Sequence, residues 1–295
     1  MSVTQSRIGE VRAIVLPNCM KKNVKELFPK WVNDNNEYLM CMTDDIDSLF
    51  TSRILERVKG YKINYFYDFK SIQSIHDLSH LSKTKDDVVF IDMATRIGKN
   101  FDNHVTLLKH GDQANPLSAN LNSIRGISRD TYFHKYAFST LLTVISYYDV
   151  FDYSKLSDEQ KMILWAIDSA YLGHFSYYEN DRNAHKKYIE LLELEPITDV
   201  LQKYTKQDFI NIIKKYKLNE KIYLSDYKLH SGIALEELQS LFCAFNLALP
   251  QDEFKKGYMF NKRGGATAYL CDNNFLNSCF TYALTGKNYL SYTQK

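Results

Sequence analysis

"YLMCMTDDIDSLFTSRIL", residues 38–55, passes from an apolar run through three carboxylates, Asp44, Asp45 and Asp47, and straight into a helical pattern. Similar apolar runs at 11–17, 62–69 and 88–93 alternate with helical stretches near 21–33, 47–59 and 70–82. Strand then helix, repeated, predicts an α/β fold with a parallel sheet flanked by helices. Ligands of such sheets lie outside the carboxyl ends of the strands. The acids after residue 42 and Asp92, at the end of "VVFIDM", are therefore expected to converge on one crevice.

Beyond the loop "NPLSANLNSIRGIS" (115–128) the pattern turns helical, from about 130 to 217. After 220 it is mixed, with strand-like "EKIYLSDYKL", a helix around "ALEELQSLFCAF" and a hairpin across "GYMFNKRGGATAYLC", for which Gly264 and Gly265 supply the turn. The reading divides the chain into an α/β domain with its helical segment over 1–200 and a smaller α+β domain over 201–295.

Basic and acidic residues nearly balance, 37 against 35, for a net charge of +2. No global field points to nucleic acid or a membrane surface, so any polyanion must be met locally. The five cysteines form no CxxC pair and the N-terminus lacks the basic-then-apolar layout of a signal peptide, which predicts a reduced, cytoplasmic protein. No apolar run approaches the roughly 20 residues that span a bilayer. Abundant Tyr and Phe (22 and 17) with scarce Pro and Gly (5 and 11) fit a helix-rich, well-packed chain.

Carboxylates crowded at a strand end repel, at a cost on the order of 1 to 4 kcal/mol per pair at about 4 Å. A divalent cation relieves this, and hard ions such as Mg²⁺ and Mn²⁺ prefer oxygen ligands. The competing reading is an acidic first helical turn, which the helix dipole favours.

The acids are not isolated, and together they resemble the DHH-family phosphoesterases, the superfamily of RecJ-type exonucleases, nano-RNases and manganese pyrophosphatases. "CMTDDIDSLFTS" is similar to that family's first signature, with Asp45 and Asp47 at its two acid positions. "VVFIDM" offers Asp92 for the second, and "FDNHV" (Asp102, Asn103, His104) resembles the Asp-His-His third. "LWAIDSAYLGHF" places Asp168 at the fourth. The resemblance implies a DHH-like N-terminal domain, one or two Mn²⁺ or Mg²⁺ ions on Asp45, Asp47, Asp92 and Asp168, and catalytic roles for Asp102 and His104. It further implies a phosphate or nucleotide held with help from Asn103, Lys135, Arg263, Gly264 and Gly265, the glycines standing where the family has a glycine-rich run. Two metal-binding histidines of the family are replaced here, by Cys41 and Asn103, which leaves an ion-free site open as an alternative.

Three functions follow. The first is a metal-dependent hydrolase of a small nucleotide, short single-stranded oligonucleotide or related phosphate compound. The second is a catalytically degenerate protein of the same fold that binds nucleotide or phosphate, or serves as a scaffold. The third is a haloacid-dehalogenase-like phosphatase with Asp45 as nucleophile and Asp47 as acid. Two lesser clusters are His76 with His80, four apart on a helical face, and "SYYENDRNAHKKY" (176–188), whose mixed aromatics and charges suit either a nucleic-acid groove or an exposed helix start.

Overall fold

The computed structural model describes residues 20–76, 87–269 and 273–295. The expected strand at 11–17, and His80, lie outside them. A seven-stranded sheet carries β1 (Leu39–Met42), β2 (Lys62–Tyr67), β3 (Ser71–Ser74), β4 (Val88–Ile91), β5 (Lys99–Phe101), β6 (Ser118–Ala119) and, from far along the chain, β9 (Lys255–Met259). Their spatial order is β6-β5-β4-β1-β2-β3-β9. The β6-to-β2 portion is parallel, while β3 and β9 add antiparallel. Buried on both faces, "VVFI" of β4 reads as a continuous apolar run, as a central parallel strand should.

Helix α1 (Ile46–Lys59) connects β1 to β2. Asp45 caps it by accepting the Ser48 N–H at 3.1 Å, and Gly60, at φ 72°, ends it. Leu49, Phe50, Ile54 and Leu55 form its buried face, with the Phe50 ring centroid 5.0 Å from that of Phe242. The chain moves to one side of β1 for β2 and to the other for β4, so strand order reverses beside β1. That reversal opens the crevice in which Asp45, Asp47 and Asp92 lie.

The helical segment comprises α2 (Thr140–Tyr147), α3 (Asp158–Ala166), α4 (Glu179–Leu192) and α5 (Lys206–Tyr216), followed by the β7–β8 hairpin (Ile222–Ser225, Lys228–Ser231) and α6 (Leu235–Leu241). The largest cluster of buried side chains runs without interruption from Met20 to Phe254. The expected 200/201 division falls inside the short helix Asp199–Lys203, and β9 carries the later residues back into the main sheet. A small antiparallel sheet, β10 (Asn261–Ala266), β12 (Tyr289–Gln294) and β11 (Thr281–Gly286), completes the fold. Its β11 edge docks on the loops after β4 and β5, through Tyr282 N–H to the Ala94 carbonyl (3.1 Å) and Leu284 N–H to that of Val105 (2.9 Å).

Three local expectations are corrected. The helix expected over 70–82 is, in its described part, strand β3. Asp68 accepts the N–H groups of Lys70 and Ser71 at 2.9 and 2.6 Å, an Asx turn that folds β3 back on β2. The stretch 21–33 is two short helices, Lys22–Lys25 and Lys30–Asn33, parted at Pro29. Finally, Gly264 and Gly265 make no turn: they lie inside β10, opposite Ser291 and Leu290. A Cβ on Gly264 would stand 2.7 Å from the Tyr289 hydroxyl, so glycine there admits a cross-strand ring.

Candidate metal centre

Asp47 is 1 % exposed and enters the first turn of α2 from outside. Its two oxygens accept the N–H groups of Thr140 (2.8 Å) and Leu141 (2.7 Å), an anion at a helix N-terminus. The Thr140 hydroxyl in turn donates to Asp92 at 2.9 Å, tying the acid after β1 to the acid after β4. Asp92 has φ 55°, and its N–H is held by the Phe101 carbonyl at 2.8 Å. Asp168 and Ser169, between α3 and α4, are both left-handed at φ 54° and 56°. Non-glycine residues in that region cost on the order of 1 kcal/mol or more each and cluster at functional sites.

Two sets of ligand atoms, each mutually within 4.8 Å, are spaced to hold a metal ion. One is Asp47, Asp92 and Asp168; the other is Asp92, Asp102 and His104, so Asp92 belongs to both. Asp102 is buried between His104 Nδ1 (2.6 Å) and the amide of Asn120 (2.8 Å). The donors are carboxylate oxygens with one imidazole, a set that suits hard divalent ions.

The charges are ill at ease without one. Burial pushes Asp47 and Asp92 well above the usual carboxylate range, and repulsion from neighbouring aspartates adds to it. Asp168, exposed on its outer side, is raised by the desolvation of its carboxylate among the surrounding atoms and then by Asp45. Burial opposes the charge on His104, yet Asp102, Asp92 and Asp168 outweigh it and bring its pKa to about 10. Among the described residues, no Lys or Arg forms an ion pair with Asp47, Asp92 or Asp168.

Of the four acids expected to ligate, Asp47, Asp92 and Asp168 come together. Asp45 lines the same cavity but spends its oxygens on Ser48 N–H and on Lys221 Nζ at 3.3 Å. Lys221 also reaches Asp44 at 3.0 Å. Asn103 donates its amide to Asp168 (2.6 Å) and to the Phe138 carbonyl (3.0 Å), so it fixes an acid rather than offering a ligand atom. Cys41, 0 % exposed within β1, packs against Tyr65 and Phe90, and burial pushes its thiol up, so it supplies no ligand here. Lys135 stands over the Tyr132 ring, 4.6 Å from its centroid. Arg263, Gly264 and Gly265 run along exposed β10, while their neighbour Lys262 is the residue that lines the cavity.

That cavity, of about 260 Å³, is closed on one side by the small sheet through Thr281, Ser291 and Thr293. Lys221, Lys262 and Thr140 were not among the residues the sequence nominated. Lys221 is 177 positions from Asp44 and carries no motif. A scan against protein-family models finds none that matches the chain, and a search of curated proteins finds no match either.

Proposed function

We propose that the chain is a metal-dependent phosphoesterase of DHH type, hydrolysing a small nucleotide, short oligonucleotide or related phosphate compound. The observation that carries this reading is the pair of ligand sets sharing Asp92 at the point where strand order reverses. A Mn²⁺ or Mg²⁺ ion held by Asp47, Asp92 and Asp168 would neutralise the phosphate and activate a water for attack on it. The chain's own contribution is positional. Thr140 and the α2 N-terminus fix Asp47 and Asp92, and Asn103 fixes Asp168. With the ion on Asp47, Asp92 and Asp168, Asp102 would hold one ring nitrogen of a protonated His104, which is then no ligand, and leave the other to donate to a phosphate oxygen or leaving group. Lys221, shared with Asp44 and Asp45, and Lys262 line the same cavity and bring positive charge to it.

A second reading, a binding protein on the same scaffold, is favoured by one observation: Lys221 occupies Asp45, a place a cation would otherwise take. Incubation with pApA, short RNA and pyrophosphate in Mn²⁺ separates the two. Turnover that falls at least about 100-fold in His104→Ala supports the hydrolase. Tight binding of the same compounds with no turnover by the native chain supports the binding protein.

A further inference from the structure

A second, larger cleft of about 800 Å³ opens on the far side of His104 and Asp168, which line both it and the carboxylate cavity. Its walls are unusually aromatic. Four of the large apolar side chains left exposed among the described residues line this one cleft: Phe133 (52 %), Leu172 (40 %), Tyr177 (91 %) and Tyr178 (69 %). Exposed apolar groups gathered at one concavity mark a binding site more often than chance surface exposure does.

The turn that carries the two tyrosines is held in place. Arg182 donates to the carbonyls of Ser176 (2.8 Å) and Tyr177 (2.6 Å), while the Ser176 hydroxyl donates to Asp181 (2.7 Å) and accepts the Tyr178 N–H (3.2 Å). The rings meet edge to face, centroids 5.7 Å apart at 84°, on a turn fixed by four hydrogen bonds. A fixed aromatic surface beside a phosphate centre suits a planar ring attached to that phosphate. Lys135 and Lys206 also line the cleft, where a further phosphate would lie.

We infer that this cleft is a nucleobase site, in which one of the two perpendicular rings of Tyr177 and Tyr178 stacks the base of a nucleotide, the other and Phe133 flank it, and the phosphate lies at His104. The assignment rests on the phosphoester reading for the position of the phosphate alone. Calorimetry on the full chain in Mg²⁺ compares AMP with ribose 5-phosphate, and adenosine with ribose. AMP is expected to bind about tenfold or more tightly than ribose 5-phosphate, the scale of one aromatic–base stack. The double variant Tyr177→Ala/Tyr178→Ala, at positions too exposed to support the core, should keep its melting temperature and shrink that ratio below about threefold, with ribose 5-phosphate unchanged. Adenosine carries no phosphate, so its preference over ribose reads the cleft even if the metal centre proves idle. Equal affinities for AMP and ribose 5-phosphate, or a ratio untouched in the double variant, overturn the assignment.

Discussion

Two buried polar clusters lie side by side in this protein and are built on opposite logic. Around Asn120 and Asn122 both side-chain amides are answered on their donor and acceptor sides. Asn122 donates to the carbonyls of Asn103 (2.7 Å) and Tyr136 (3.0 Å) and accepts the Tyr136 N–H (2.7 Å). Asn120 donates to Asp102 and the His104 carbonyl and accepts from the N–H groups of Asn122 and Ser123. Next to it, Asp47, Asp92 and Asp168 bring three carboxylates to one point with no Lys or Arg in an ion pair with them among the described residues, and His104 offsets Asp92 and Asp168 only in part. The amide cluster is complete as it stands and orders the loop that presents Asp102, Asn103 and His104. The carboxylate cluster is not complete as it stands: its crowded acids must hold protons or a cation, and they are spaced so that they could hold a metal ion.

The sharpest way to break the contrast is to damage the complete cluster. Asn122→Ala leaves two carbonyls and one N–H buried and unpaired, for an expected loss of about 3 to 5 kcal/mol at 1 to 3 per orphaned group, discounted for relaxation. Urea unfolding measures it; a loss under about 1 kcal/mol would mean the network is not what orders the loop.

Next in size is the response to pH. Asp47 and Asp92 bind protons in the fold that the unfolded chain gives up, so the stability they contribute is intact below the ordinary carboxylate range and is lost as pH rises. His104, raised to about 10, has the same sign: its contribution is full below roughly 6.5 and disappears as pH passes its folded value. His185 acts oppositely. Burial against Trp165 lowers it to about 4, so its contribution is lost as pH falls from roughly 6.5 toward that value. Without divalent ions the melting temperature should therefore decline from pH 6.5 to 9.5, and Mg²⁺ should flatten the decline by binding the ionised carboxylates. A metal-free melting curve that climbs through that window contradicts the charge account.

The smallest effect sharpens the comparison from the other side. Asp168→Asn keeps an oxygen for the Asn103 amide and removes one of the three repelling charges, so metal-free stability should rise by about 1 kcal/mol, discounted because Asp168 is solvent-accessible. Asp47→Asn is a poorer probe, since its new amide would face one of the two N–H groups at the start of α2.

How much of this was legible in the sequence follows from the range of each signal. Strand β1, helix α1 and strand β2 were readable because an apolar run, a helical apolar period and a second apolar run follow one another within one window. Asp47 and Asp92 were nominated by their places after strands, Asp168 only by the family resemblance. What failed was also local in cause: Asp68 turns the chain back by a side-chain bond that apolar periodicity does not register, and Gly264 serves a ring on another strand. The remainder was invisible for want of range. Lys221 meets Asp44 across 177 positions, Thr140 meets Asp92 across 48, and no short pattern announces either.

The central claim is that the surplus carboxylates are a cation site with Asp92 shared between both ligand sets. Titration of Mn²⁺ into the native chain and into Asp92→Asn tests it most directly. Saturable binding of one or two equivalents by the native chain, abolished in the variant while the variant stays folded, is the predicted result. Native and variant chains that take up Mn²⁺ equally, or a native chain that takes up none, would contradict it.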